Sequence, residues 1–232
     1  MLSLPHLTTI AHIMHRIILI STRHDECGFC TIDGLYTIIN MLSPDIIFEE
    51  IPPSFFDKYY VTKVCRNLET DAISKYLENY NIPHIPVDSD NVPPDSFFED
   101  LKYMFERVEG LTDINGFNYR TFSDRNSKYA KMYGFQYFNS NHCIGIQNEI
   151  DDAIEKSLQK INDEKLYQTH KKWKDVNDER ENKMLQNIYN YSKDHIFENA
   201  IFTLGFAHRK SIMQKIPKYE ETTKIKLNWN FI

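Results

Sequence analysis

Cysteine is scarce in this chain of 232 residues. The four cysteines are Cys27, Cys30, Cys65 and Cys143. They are too few and too scattered to form the disulfide scaffold of a secreted domain, and this usage is typical of a reducing compartment. We therefore expect the protein to be cytoplasmic.

Long apolar runs are also lacking. None approaches the roughly 20 residues that a helix needs to cross a bilayer, so we expect no membrane span. The first ten residues contain no basic region, and their threonines and histidine are atypical of a signal-peptide core. We interpret residues 1–13 as a peripheral N-terminal extension of a domain that begins at Met14.

An excess of positive charge is absent as well. The chain has 33 acidic residues against 27 lysines and arginines, which gives a formal net charge of -6 at pH 7. Bulk electrostatics therefore argues against a polyanionic partner, and we expect no binding of nucleic acid.

What the chain does contain is an alternation of short apolar runs and helical periods. Apolar residues are spaced as on one face of a helix over 31–42 and 68–80. These two segments alternate with apolar runs at 17–20, 45–48 and 84–88. A further run at 200–204 precedes a helix near 211–216 and a possible edge strand at 224–229. This order predicts an α/β fold, with one domain and a mostly parallel sheet flanked by helices.

The middle of the chain is less regular. Residues 97–108 have a helical pattern, whereas 110–140 have no clean period, and we interpret them as loops and short helices that cap the sheet. Residues 149–191 are rich in charge with spaced apolar residues, which predicts a long charged segment of one or two surface helices.

Polar side chains follow three of the apolar runs. His24 follows the first run, Glu49 and Glu50 follow the second, and His208 follows the last. Carboxyl ends of parallel strands form the edge at which α/β folds gather their chemistry. Neighbouring residues of a strand face opposite ways, so only one glutamate can face such a site. Asp88 is a weaker candidate, and for each residue the alternative is a structural hydrogen bond or a cap.

The spacing of these residues resembles that of a known superfamily. Its members have a Gly-x-x-His signature after the first strand, a Pro-Asp-hydrophobic run ending in Glu after the second, an Arg-containing helix and a second Gly-x-x-His near the end. The counterparts here are Ser-Thr-Arg-His at 21–24, Pro-Asp-Ile-Ile-Phe-Glu-Glu at 44–50, Arg180 with Asn182 and Met184, and Gly-Phe-Ala-His at 205–208. In their order and wide separation, residues 14–216 are similar to the superfamily of TraB-like and Tiki proteins, ChaN-like haem-binding proteins and erythromycin-esterase-like hydrolases. Ser21 stands in place of the first glycine.

The resemblance implies a TraB/ChaN-like α/β domain over residues 14–232. It also implies a hydrolase of the esterase or metallopeptidase-like type, with a small-molecule or peptide substrate. Counted from the proline, Glu50 matches the acid of the superfamily better than Glu49 does. The implied site is therefore His24, Glu50, His208 and Arg180.

Two mechanisms remain open for such a site. His24, Glu50 and His208 are a suitable set for a divalent metal ion with an open position for water. Without a metal, His24 can act as a general base towards water while His208 and Arg180 polarise a carbonyl or stabilise an oxyanion.

Two functions of other classes compete with hydrolysis. Cys27 and Cys30 form a Cys-x-x-Cys motif between a strand and a helix, as in thiol oxidoreductases, and together with His24 they are also a candidate zinc site. The second rival is a non-catalytic module that binds haem or a metal ion. Its mark would be an aromatic mouth, for which the candidates are Phe117, Tyr119 and Phe122, and Tyr133, Phe135, Tyr137 and Phe138.

Overall fold

The apolar runs of the sequence form one sheet in which every pair of neighbouring strands is parallel. The structure is a computed structural model that describes residues 15–111 and 119–232. Its strand order is β3-β2-β4-β1-β5. The strands are β1 (Arg16–Thr22), β2 (Ile46–Glu49), β3 (His84–Pro86), β4 (Asn199–Gly205) and β5 (Asn228–Phe231). The predicted α/β fold is thus confirmed, and the sheet is parallel throughout.

Helices cover both faces of this sheet. In chain order they are α1 (Ile32–Leu42), α2 (Phe56–Tyr60), α3 (Leu68–Leu77), α4 (Asp95–Glu109), α5 (Tyr119–Phe138), α6 (Asn141–Ile161), α7 (Glu164–Asp194) and α8 (Arg209–Thr222). One core joins Ile18 and Ile20 of β1 to helices that include α1, α3, α5 and α6. The other joins Ile17 and Leu19 to α7 and α8. Alternate residues of β1 thus face opposite cores, as the pleat of a strand requires.

Strand β4 lies between β2 and β1, although it comes last of the three in the chain. In this register Gly205 lies opposite Thr22 of β1, and Thr203 lies opposite Glu49 of β2. The three strands therefore end at about the same level. Residues that follow these ends are brought together at the carboxyl edge.

The prediction of loops and short helices between residues 110 and 140 is wrong for most of this segment, since α5 occupies Tyr119–Phe138. Two helical pieces meet there at Gly134, whose φ is +56°. A Cβ atom at this position would lie 2.9 Å from the backbone of Phe29, so the close approach requires glycine. Before Gly134 only Ala130 of α5 is buried, so the longer piece of this helix has no apolar face that would give a clean pattern in the sequence.

The long charged segment is confirmed as two helices. Asn162 ends α6 in the left-handed conformation, and the side chain of Asp163 accepts hydrogen bonds from the first N–H groups of α7. Within the described residues, no helix is both long and apolar enough to cross a membrane. The predicted N-terminal extension, residues 1–13, lies outside the described residues.

Candidate functional site

Arg180 joins two carboxylates at the carboxyl edge of the sheet. Its Nη2 lies 2.7 Å from Oε1 of Glu50 and 2.7 Å from Oδ2 of Asp88. Asp88 reaches this position because its N–H donates to the carbonyl of Ile51, which extends the pairing of β2 and β3 beyond both strands. Burial raises the pKa of the Asp88 carboxyl, against the opposing effect of the Arg180 charge.

Glu50 is held from three sides. Besides Arg180, it accepts a hydrogen bond of 2.6 Å from the N–H of Gly205, and its Oε1 lies 3.4 Å from Nε2 of His208. Burial alone would raise the pKa of Glu50, but His208, Arg180 and the Gly205 N–H together hold it below its ordinary value. A Cβ atom at Gly205 would lie only 3.1 Å from Oε2 of Glu50, so glycine gives the carboxylate its room.

His208 is buried between two carboxylates. Its Nδ1 lies 2.8 Å from Oε1 of Glu181, and its Nε2 faces Glu50. Burial lowers the pKa of this ring, but Glu50 and Glu181 outweigh burial and the net pKa is raised. With a carboxylate near each nitrogen, the protonated form of the ring is favoured, and its charge offsets those of the two acids.

His24 has different surroundings. Its side chain is 60% exposed, and its Nδ1 lies 3.3 Å from Oε1 of Glu69 in α3. Glu69 in turn accepts a 2.7 Å hydrogen bond from Oγ1 of Thr22. Despite the exposure of the ring, the contact with Glu69 raises the pKa of His24 to about 9.

The exposed side of the site opens into a cavity of about 540 Å³. His24, Glu50, Asp88 and Arg180 are among its lining residues. Aromatic side chains form much of the remaining wall: Phe55, Tyr59, Phe97, Phe98 and Trp173. A cavity of this size, lined by both apolar and polar side chains, has the dimensions of a small-molecule site.

The candidate residues are thus brought to one edge but not into one cavity. His24 and Glu50 share the 540 Å³ cavity, whereas His208 lines a neighbouring cavity of about 410 Å³. Arg180 lines both cavities, and its partner Glu50 lines the larger one. Glu49 faces elsewhere, because its carboxylate contacts Tyr60 and His84. Of the two glutamates, Glu50 belongs to the site.

The proposed metal ligands do not fit a metal ion. The oxygens of Glu50 already accept from Arg180 and Gly205, and the guanidinium beside them repels a cation. Both ring nitrogens of His208 face carboxylates. Across residues 15–111 and 119–232, no group of three or more His, Cys, Asp or Glu side chains is arranged to hold a metal.

The Cys-x-x-Cys motif forms a tight turn directly before α1. Cys27 and Cys30 exchange two backbone hydrogen bonds of 2.9 Å, and Gly28 between them has a φ of +57°. Both cysteines are free thiols. Burial raises the pKa of Cys30 to about 12, which is the opposite of the lowered pKa that a redox thiol needs.

Among the described residues, none of the aromatic side chains suggested for a ligand mouth lines the 540 Å³ cavity, although Phe138 lines the 410 Å³ cavity. Phe135, Tyr137 and Phe138 are buried in the core beside α1 and α6. Phe117 lies outside the described residues. The 540 Å³ cavity does have an aromatic wall, but the aromatic residues of that wall belong to α4, α7 and the segment after β2.

No protein-family model, no curated protein and no solved structure matches this chain. The resemblance to TraB-like, ChaN-like and erythromycin-esterase-like proteins therefore stays a prediction.

Two carboxylates of the site were missed in the sequence. Glu69 is the second residue of α3, where an acid is usual because it suits the positive end of the helix dipole. Glu181 adjoins Arg180 in a helix full of acids. Their burial, 7% and 4% exposed, sets them apart from ordinary surface acids, and no local sequence pattern reveals it.

Proposed function

We propose that this protein is a metal-independent hydrolase of esters or related acyl compounds. The observation that carries the proposal is the position of His24, an imidazole on the wall of a 540 Å³ cavity with a buried carboxylate at its Nδ1. A carboxylate at one ring nitrogen leaves the other, Nε2, to exchange a proton with a bound molecule.

The chemistry requires the neutral form of His24. As the oxygen of a water molecule bonds to the carbonyl carbon of the substrate, Nε2 accepts the proton that the water loses. The bond from that carbon to the leaving group then breaks, and the leaving group takes the proton from Nε2. Because the pKa of His24 is raised to about 9, the neutral base accumulates only at alkaline pH, and the rate should rise towards pH 9.

Arg180 is the candidate for binding the carbonyl oxygen. Its hydrogen bonds to Glu50 and Asp88 use Nε and Nη2. No hydrogen bond to another described residue uses Nη1, so this nitrogen is available to a bound carbonyl. An N–H donor aimed at a developing oxyanion in a partly enclosed site stabilises the transition state.

The cavity wall suggests the kind of substrate. Aromatic side chains surround the polar groups, so we propose a small molecule or short peptide with an apolar or aromatic part. The four free cysteines support the further proposal that the protein works in the reducing cytoplasm.

A panel of p-nitrophenyl esters with acyl chains from acetyl to decanoyl tests the proposal. We expect hydrolysis that His24→Gln lowers by about 10²- to 10⁴-fold, the usual contribution of a general base. The matched control is His195→Gln, since His195 is an exposed histidine at the end of α7 that lines neither cavity. Activity that survives His24→Gln would overturn the assignment of the base.

The aromatic wall also favours a second candidate, a binding module that holds haem or another flat apolar ligand without converting it. Titration with haemin, followed by absorbance, separates the two functions. Tight haemin binding that depends on Phe97 and Trp173, with no ester hydrolysis at any pH, would favour the binding module.

A further inference from the structure

We infer that Glu69 is a positioning residue of this site, which orients His24 and fixes the proton on its Nδ1. The inference rests on the proposed function for its catalytic meaning. The contact between the two side chains stands on geometry alone.

The first support is the way in which Glu69 is held. Its Oε1 accepts the 2.7 Å hydrogen bond of Thr22 Oγ1 and lies 3.3 Å from Nδ1 of His24. Thr22 is the last residue of β1, and His24 follows it by two positions. The carboxylate therefore bridges the rigid end of the strand and the exposed ring that comes after it.

The second support is the start of α3. Asn67 and Thr70 form a reciprocal capping box, which fixes the first turn of the helix, and Leu68 donates its N–H to the carbonyl of His24 at 2.8 Å. This backbone bond ties α3 to the His24 loop. The side chain of Glu69 is thereby aimed at the loop rather than at solvent.

The third support is the charge of Glu69. The residue is 7% exposed, and its Oε2 has no hydrogen-bond partner among the described residues. A buried carboxylate with so few partners is costly unless a positive charge lies beside it. The nearby Arg66 already forms a bidentate pair with Asp71, so the imidazolium of His24 is the cation that compensates Glu69.

Other charged groups face His24 from neighbouring elements. Glu50, after β2, favours the protonated ring, and Arg180 of α7 opposes it. Asp25 and Arg66 also line the cavity beside the ring. Glu69 has the largest effect of these groups, because it alone contacts a ring nitrogen.

The role that follows is that of an orienting carboxylate. A proton held on Nδ1 by Glu69 leaves the lone pair of the neutral ring on Nε2, where the reaction needs it. Without the carboxylate, the ring can rotate and populate the wrong tautomer.

Titration of His24 by NMR tests this inference without any substrate. In the wild-type protein we expect His24 to titrate near 9, and in Glu69→Gln we expect its midpoint to fall towards the ordinary 6.5. The matched control is Glu49→Gln, which removes a neighbouring buried carboxylate that contacts His84 and not His24, and should leave the His24 midpoint in place.

Activity gives the second readout. If esters are hydrolysed, Glu69→Gln should shift the rise of the pH profile to lower pH, as it shifts the His24 midpoint. It should also lower the limiting kcat at least about tenfold, with KM little changed. A wild-type midpoint near 6.5, or a midpoint that Glu69→Gln does not move, overturns the inference even if hydrolysis is found. A shifted midpoint without hydrolysis of any ester overturns the proposed function alone. If Glu69→Gln does not fold, the wild-type titration is the test: a His24 midpoint near 9 supports the inference, and a midpoint near 6.5 overturns it.

Discussion

The ends of β1 and β4 present the same motif, a histidine shortly after a buried parallel strand, in two different surroundings. After β1, His24 is 60% exposed and contacts one carboxylate at a cavity wall. After β4, the ring of His208 is 11% exposed and lies between two carboxylates. The surroundings therefore distinguish an exposed imidazole at a cavity wall from a buried imidazole whose protonated form is favoured by two carboxylates.

The largest expected effect is a loss of stability when His208 is replaced, and the same replacement of His24 should have a much smaller effect. His208→Ala leaves Glu50 and Glu181 without their shared cation, and breaking a buried pair costs about 3–5 kcal/mol. His24→Ala also takes a cation away from a buried carboxylate, Glu69, but the His24 ring is 60% exposed and water can enter the space it leaves, so we expect a smaller cost than for His208→Ala. Chemical denaturation of both variants measures the difference. Equal costs would contradict the contrast between the two strand ends.

The pH dependence of stability sharpens the same contrast. The pKa of Glu50 is lowered on folding, so its stabilising contribution is present above pH 4.5 and is lost as the pH falls through the lowered value. The pKa of His208 is raised, so its contribution is complete below pH 6.5 and is lost as the pH rises through the raised value.

Thermal unfolding across the pH range is the measurement for this prediction. Glu50→Gln should flatten the acid limb of the Tm curve, and His208→Gln should flatten the alkaline limb. His24→Gln should flatten the alkaline limb less, because solvent screens its exposed ion pair. An alkaline limb that depends only on His24 would reverse our assignment of the buried cation.

The smallest effect is expected at the glycine of the second motif. Gly205→Ala introduces a Cβ atom 3.1 Å from Oε2 of Glu50, at a φ of -53° that any residue adopts. Glu50 has to move by a few tenths of an ångström, and we expect a loss of about 1 kcal/mol or less. Denaturation measures the loss, and ester hydrolysis should stay within a few-fold of wild type. A loss as large as that of His208→Ala would mean that the carboxylate has no freedom to adjust.

The fold was predictable where each element follows a local rule. The apolar runs and helical periods that end near residue 88 correspond to β1, α1, β2, α3 and β3. The position of β4 between β2 and β1 was not predictable, because strand order depends on long-range packing. Helix α5 was not predicted because only Ala130 is buried in its longer piece, and the break at Gly134 depends on a long-range contact with Phe29.

The location of the candidate residues at strand ends was predictable from the sequence, whereas the groups that contact them were not. Strand ends indicated His24, Glu50 and His208, and the resemblance added Arg180, whose side chain contacts Glu50. Glu69 and Glu181 stand in ordinary helical contexts, 45 and 27 residues from the histidines that they contact. Sequence alone therefore could not tell the exposed histidine from the buried one.

A crystal structure with the phosphonate analogue of the best ester substrate tests the central claim most directly. We predict that the phosphonate lies in the 540 Å³ cavity, with one oxygen within hydrogen-bond distance of Nε2 of His24 and no contact with His208. A phosphonate bound beside His208 in the 410 Å³ cavity, with His24 uninvolved, would contradict the account.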